Sequence, residues 1–197
     1  YGAKKFIFLS SDHVYMCNDY NQDVSEDSPL HLSFNKPEDF GRNLFAITKA
    51  SSEAICIREI PNSLVFRLAS IYGSGKCTNL IKGMIDDAKA KGLIEIWGDG
   101  NRSIQFTHVS DVSTVVSRSM HLTPGIYNLS NDKKVKVMDA AQTISNHFNA
   151  EITKLLDKEG GPMFPYASTS KLLNEIKNFN YIPLSKGIKL MCGGNND

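Results

Sequence analysis

The sequence predicts an α/β fold built on a parallel sheet, with a small α+β portion following it. Three observations carry that prediction. Residues 4–10 (KKFIFLS) form a short continuous apolar run ending in serines, the pattern of a strand buried on both faces. Residues 44–60 then place Leu44, Ile47, Ala50, Ala54 and Ile57 near helical spacing and stop at Pro61. Residues 63–73 (SLVFRLASIYG) form a second buried run that enters a glycine turn. Strand, helix, strand in that order requires a crossover, which makes the two strands parallel and the connection right-handed.

The remaining elements follow in order. Residues 11–43 keep no period and carry Asp, Asn, Ser, Pro and Gly throughout, so a long loop with short turns is expected there. Residues 80–92 set Ile81, Met84, Ile85 and Ala88 in helical phase, with Gly92 as the C-cap. Residues 93–100 (LIEIWGDG) read as a strand running into a turn, and residues 109–121 put Val109, Val112 and Val116 on one helical face. A strand is expected over 125–130 (GIYNLS) and a helix over 137–148 through Met138, Ala141, Ile144 and Phe148. A last helix is expected over 168–179, with a Ser or Thr as its N-cap. Residues 1–75 are thus read as the sheet-bearing part and 76–197 as the smaller portion, partly interleaved with the sheet.

Composition narrows the function classes. At 197 residues with 41% hydrophobic content, the chain suits one globular domain, or one with a small appendage. The 22 basic and 21 acidic residues leave a net charge of +1, and they are scattered, which gives no electrostatic case for nucleic acid. No apolar run approaches the ~18 residues of a membrane span, so no membrane partner is expected. Cys17, Cys56, Cys77 and Cys192 match no zinc or Cys-x-x-Cys spacing. They read as free thiols of a reducing, cytoplasmic compartment, and no metal site is expected. His31, His121 and His147 form no metal spacing either, and His108 reads as a packing residue. The chain opens on Tyr1 and enters a strand almost at once, so it is expected to be a piece of a longer protein.

Five segments in their order resemble the extended short-chain dehydrogenase/reductase family, in its NAD-dependent nucleotide-sugar epimerase and dehydratase branch. FIFLSSDHVY (6–15) resembles the strand that ends in the catalytic Ser or Thr. FAITKASSEA (45–54) occupies the place of the Tyr-x-x-x-Lys helix. VFRLASIYGSG (65–75) is similar to the Arg-x-x-Asn-x-Tyr-Gly-Pro-Gly segment. GDGNRSIQFTHVSDV (98–112) is similar to the Gly-Asp-Gly segment with its Arg-Asp-Phe. GIYNLS with KVKVMDAAQTIS matches the strand and helix after it. The fold this implies is a partial Rossmann-like sheet with a substrate-binding portion. The family's opening glycine-rich dinucleotide-binding unit has no counterpart before Lys4, and YGSGK (72–76) is a turn rather than a phosphate loop. NAD or NADP is therefore implied for the full-length protein, with weak or absent binding by this segment.

The resemblance also implies a chemistry: hydride transfer at a sugar carbon of a nucleotide sugar, with a general base removing the hydroxyl proton. In the family that base is a Tyr whose pKa is lowered by a Lys four residues later on one helix face. Ser11 stands at the Ser/Thr position, Asp12 at the acid of the dehydratase pair, and His13 where that pair has Glu. Lys49 keeps the Lys position, which also grips the nicotinamide ribose, but Phe45 stands at the Tyr position and cannot ionise. Tyr15 and His13 are the candidate replacements as base. Ser70 stands where the family often has a substrate-binding Asn and is a cofactor-binding candidate, and Asn79 and Arg102 are the substrate-binding candidates. Ile104 stands where an Arg grips the diphosphate, and it cannot make charge-assisted bonds. Asp111 is expected to cap a first helical turn and Arg67 to pair with an acid or a carbonyl. Homodimerisation through the helix of residues 44–60 is implied as well. Two readings stay open: an NAD(P)-dependent epimerase or dehydratase, or a catalytically impaired relative acting as a binding or scaffold subunit.

Overall fold

A computed structural model describes residues 3–33, 40–75 and 79–193. The first part holds β1 (Phe6–Ser11), a 3-10 turn (Asp12–Tyr15), β2 (Asp23–Val24), α1 (Phe40–Glu59), β3 (Ser63–Leu68), β4 (Ser70–Tyr72) and α2 (Leu80–Lys91). Then come β5 (Leu93–Trp97), β6 (Ser103–Ile104), β7 (Phe106–His108), α3 (Val109–Arg118), β8 (Gly125–Leu129), β9 (Val135–Lys136) and α4 (Val137–Phe148). The chain closes with β10 (Glu151–Leu155), β11 (Tyr166–Ala167), α5 (Ser170–Glu175) and α6 (Leu184–Met191). It divides into two compact units, one of residues 1–69, 112–132 and 164–180, the other of residues 70–111, 133–163 and 181–197.

The first unit is an α/β layer. Its sheet runs in the order β1-β3-β8, all parallel, with Phe8 opposite Val65 and Phe66 opposite Tyr127. β3 is the central strand, and Leu64, Val65 and Phe66 are fully buried, as a near-continuous apolar run in a parallel sheet requires. The crossover from β1 to β3 is α1, as predicted. Lys5 extends from the start of β1 to donate to the carbonyls of Met120 at 3.0 Å and Leu122 at 2.6 Å. A cation there satisfies carbonyls left open where α3 and its 3-10 extension end.

The second unit packs α2 and α4 on the parallel pair β5–β10. Its core holds Ile81, Met84, Ile85, Ala88, Ile94, Ile96, Ala141 and Ile144, so the predicted faces of α2 and α4 are the buried ones. Gly92 is the C-cap of α2 at φ 64°, as expected for a residue without Cβ strain. Two shorter pairs complete the unit, β4 parallel to β7 and β6 antiparallel to β9.

Several expectations need correction. The run 63–73 is not one strand: β3 ends at Leu68, and Ser70–Tyr72 pairs with Phe106–His108 in the other unit. The buried face of α1 is Asn43, Ala46, Glu53 and Cys56, whereas Leu44 and Ile57 on the predicted face stand 50% and 45% exposed. Glu53 turned inward because Arg67 and Ser10 are its partners there, whereas buried Asn43 has only its Oδ1 bonded, by the Cys17 thiol, and its Nδ2 finds no partner among the described residues. In α3 the fully buried valine is Val115, while Val109 is exposed. The helix expected over 168–179 is shorter, Ser170–Glu175, its Thr169 N-cap makes no side-chain capping bond, and it is not the last, since α6 follows it. The loop of residues 11–43 contains a 3-10 turn and a two-residue strand that pairs with β11. Within 11–43, residues 34–39 lie outside the described residues, as do Lys76 and Cys77.

Candidate functional site

The site candidates of the first unit gather at the carboxyl end of β1. Ser11 is the last residue of that strand and the N-cap of the 3-10 turn that follows. Its Oγ accepts the amide of His13 at 3.2 Å, which caps the four-residue turn and brings the Asp12 and His13 side chains back to the strand end. Ser11 Oγ lies 3.1 Å from His13 Nδ1 and 3.3 Å from Asp12 Oδ1, and Asp12 Oδ1 lies 3.3 Å from the same Nδ1. The three polar atoms thus form a triangle. Serine and aspartate both address one imidazole nitrogen, so this is not a linear Ser-His-Asp relay, which uses both nitrogens. The His13 side chain is 36% exposed and that of Asp12 19% exposed.

α1 supplies the opposite wall. The Phe45 ring meets the His13 ring edge to face at 5.4 Å and 87°. Lys49 lies one turn along, with Nζ 5.6 Å from the centroid of Phe45 and 5.0 Å from that of Phe8. Its Nζ donates to the Leu9 carbonyl at 3.0 Å, which anchors the ammonium to β1. An ammonium has three donors, so this anchoring leaves capacity for a ligand's hydroxyls. Phe164, from the segment before β11, covers another side of His13 at 5.0 Å.

Beneath the site lies a buried polar network that the sequence only hinted at. Arg67 of β3 and Glu53 of α1 pair at 2.7 Å with side chains 4% and 3% exposed. Arg67 Nε reaches both carboxylate oxygens at 3.1 Å, and Ser10 Oγ donates to Oε1 of Glu53. Arg67 Nη1 donates to the hydroxyl of Tyr15 and, at 3.2 Å, to the Glu26 carbonyl. Tyr15 in turn donates toward Asn128 Oδ1 at 2.9 Å and the Ser25 carbonyl at 3.0 Å. This corrects one expectation. Tyr15 is 1% exposed, and burial raises its pKa despite the neighbouring guanidinium, so it cannot serve as a solvent-facing base near neutral pH. Its work is to pin the far end of the 3-10 turn that carries Asp12 and His13.

Ser70, Asn79 and Arg102 belong to the second unit. Ser70 opens β4 and is exposed. Asn79 is the N-cap of α2, its Oδ1 accepting the Lys82 amide at 2.9 Å. Arg102 Nη1 donates to the Pro162 carbonyl at 3.3 Å and lines a cavity of about 190 Å³ with Trp97, Asp99, Asn101 and Met163. That is below the ~300–1,000 Å³ of a typical small-molecule pocket. Asp111 caps the start of α3 as expected, its carboxylate taking a backbone hydrogen bond from His108, and it also accepts the amide of Ile182 at 3.1 Å. Burial raises its pKa, and burial lowers that of His108, whose Nδ1 accepts the Ser110 amide at 3.2 Å. Among the described residues, no cluster of His, Cys, Asp or Glu is placed to hold a metal ion, and no helix is long and apolar enough to cross a membrane.

Comparison with known proteins places this geometry. A dTDP-4-dehydro-6-deoxy-D-allose reductase from a Streptomyces species is 26% identical over 206 residues, covering 96% of this chain and 60% of its own length. The chain therefore spans about 60% of the length of this relative. An NAD-dependent NDP-hexosamine 5,6-dehydratase of tunicamycin biosynthesis has a similar fold, with a TM-score of 0.76 at 21% identity over 96% of this chain and 62% of that one. So does a phenylalanine-for-tyrosine variant of the UDP-glucuronic acid 4-epimerase of Bacillus cereus, solved with UDP-4-deoxy-4-fluoro-glucuronic acid and NAD. Its TM-score is 0.77 at 21% identity, over 97% of this chain and 61% of that one. Residues 1–130, which include all of β1, α1, β3 and β8, match the NAD dependent epimerase/dehydratase family. The chain belongs to the NAD dependent epimerase/dehydratase family.

Proposed function

We propose that the protein transforms a nucleotide sugar by NAD(P)-dependent hydride transfer at a sugar carbon, and that His13 takes the hydroxyl proton in place of the family's tyrosine. The observation that carries this reading is the triangle of Ser11, Asp12 and His13 at the end of β1, facing α1 with its phenyl ring and Lys49. Asp12 can only accept when ionised, so it holds a hydrogen on His13 Nδ1. Nε2 then carries the lone pair, the form a general base needs. Ser11 orients the sugar hydroxyl. Lys49, anchored by the Leu9 carbonyl, would hold the nicotinamide ribose, and Ser70 would border the cofactor. Asn79 and Arg102 would contact the nucleotide. The cofactor, when bound, supplies the hydride acceptor. The 197 residues contain no Gly-x-x-Gly-x-x-Gly, so full binding of NAD or NADP belongs to the full-length protein.

The test is nicotinamide reduction by full-length protein, read against a panel of UDP- and dTDP-sugars. Turnover that His13→Gln abolishes supports the reading; cofactor and sugar nucleotide bound without turnover sinks it. The second reading, a binding subunit, is favoured by Phe45, which has no ionisable group. The Bacillus cereus variant is a protein of this fold that holds sugar nucleotide and NAD after a tyrosine-to-phenylalanine change. Calorimetric titration with both ligands separates the two readings. The exposed apolar residues Phe40, Leu44 and Ile55 of α1 support a homodimer through that helix, checked by sedimentation of wild type against Leu44→Lys. The free thiols of Cys17, Cys56 and Cys192 support a cytoplasmic location.

A further inference from the structure

We infer that Phe45 and Phe164 form an aromatic seat for the imidazole of His13, and that Phe164 is a positioning residue for the proton transfer. The inference rests on the role proposed for His13. Two phenyl rings contact the imidazole, one from α1 at 5.4 Å and 87°, the other from the segment before β11 at 5.0 Å and 55°. Both distances fall in the range where an aromatic pair gains from ring geometry as well as from buried area. At Nδ1 the ring meets the polar triangle, 3.1 Å from Ser11 Oγ and 3.3 Å from Asp12 Oδ1, and the side chain stays 36% exposed. Apolar contact from two elements and polar contact at one nitrogen together leave one ring orientation. Without the phenyl rings, a half-exposed histidine on a four-residue 3-10 turn would turn about its side-chain bonds into water.

The backbone that presents Phe164 is itself held. Pro165 follows it and restricts its torsions to the extended region. Tyr166 and Ala167 pair with Asp23 and Val24. Ser168 N donates to the Val24 carbonyl at 2.8 Å, and the Tyr166 hydroxyl donates to the Asp132 carbonyl at 3.0 Å. The turn that presents His13 is held from the other end by the Tyr15 hydroxyl in the Arg67 network. The seat therefore joins two anchored segments. It also gives Phe45 a use that a tyrosine lost from the same position would not suggest: its ring packs on the base rather than acting as one.

The experiment is carbon- and nitrogen-detected NMR of the histidine rings in the 197-residue chain, with His13 assigned through His13→Gln. Wild type is expected to show His13 ring protons displaced from their free-histidine values by the two phenyl ring currents, with nitrogen shifts of the Nδ1–H tautomer. Phe164→Leu, which keeps apolar bulk but removes the ring, is expected to move those signals toward free histidine and mix the tautomers. Phe164→Tyr is expected to preserve them. In full-length protein, Phe164→Leu is expected to lower kcat with KM little changed, and Phe164→Tyr to restore it. His13 signals that stay put in both Phe164→Leu and Phe45→Leu overturn the seat. Signals that move as expected while His13→Gln keeps wild-type turnover retain the seat and overturn the role of His13, and with it the positioning role of Phe164.

Discussion

Replacing Arg67 by methionine tests the network that supports the site. Arg67 and Glu53 sit in the core with side chains 4% and 3% exposed, joined at 2.7 Å and by two further bonds from Nε at 3.1 Å. The substitution leaves a carboxylate in the interior with its guanidinium partner gone, and removes the donor to the Tyr15 hydroxyl. Breaking a buried pair from one side costs about 3–5 kcal/mol, against roughly 0–1 kcal/mol for an exposed pair. Set beside a typical stability of about 5–15 kcal/mol, the loss is a large share of the whole. The assay is urea denaturation with linear extrapolation, where the midpoint should fall while the slope stays constant. The double replacement Arg67→Met with Glu53→Leu should recover much of the loss, because apolar side chains leave no stranded charge. A single-mutant loss below about 1 kcal/mol would refute the argument that this pair is desolvated and interdependent.

Other consequences are as direct. His13→Gln should reduce turnover by about 10²–10⁴-fold if His13 moves the proton, measured as the rate of sugar-nucleotide conversion in full-length protein. Gly187→Ala should cost about 1–3 kcal/mol in thermal or urea unfolding, since an added Cβ would overlap the buried Tyr72 ring, 2.7 Å from its Cζ. Asn79→Ala should cost about 1 kcal/mol by removing the cap on the Lys82 amide, an effect that Asn79→Asp should largely spare. Burial lowers the pKa of His108 below the ordinary ~6.5, so the unfolded chain takes up the proton first as pH falls. Stability should therefore decline from about pH 6.5 down through the lowered value, and His108→Gln should flatten that decline. Buried Asp111 has the opposite sign: its contribution weakens as pH rises from the ordinary aspartate range through its raised value.

Residues read in short windows determined much of this protein. The strand of β1, the stop at Pro61, the buried stretch of β3 and the Gly92 cap are torsional and periodic facts, and each is present in the structure. β1 is not buried on both faces as its apolar run predicts, however, since Phe6 and Leu9 stand 41% and 43% exposed. The grouping of Ser11, Asp12, His13, Phe45 and Lys49 was implied by the family resemblance, and in the structure the crossover from β1 through α1 brings them to one strand end. Period alone, however, chose the wrong face of α1. Glu53 looks like a surface residue until Ser10 and Arg67 are seen waiting for it, and those partners lie outside any helical window. Tyr15 looked like a base until burial around Arg67 removed it from water. Phe164 carried no signal at all, since its meeting with His13 depends on β11 pairing with β2 across the chain. Local sequence determines backbone torsions and apolar period because both act over a few residues. Which polar groups are buried together, and which rings close over a reacting side chain, is decided only when distant segments pack, because a buried polar group is stable only beside the partner that tertiary structure brings to it.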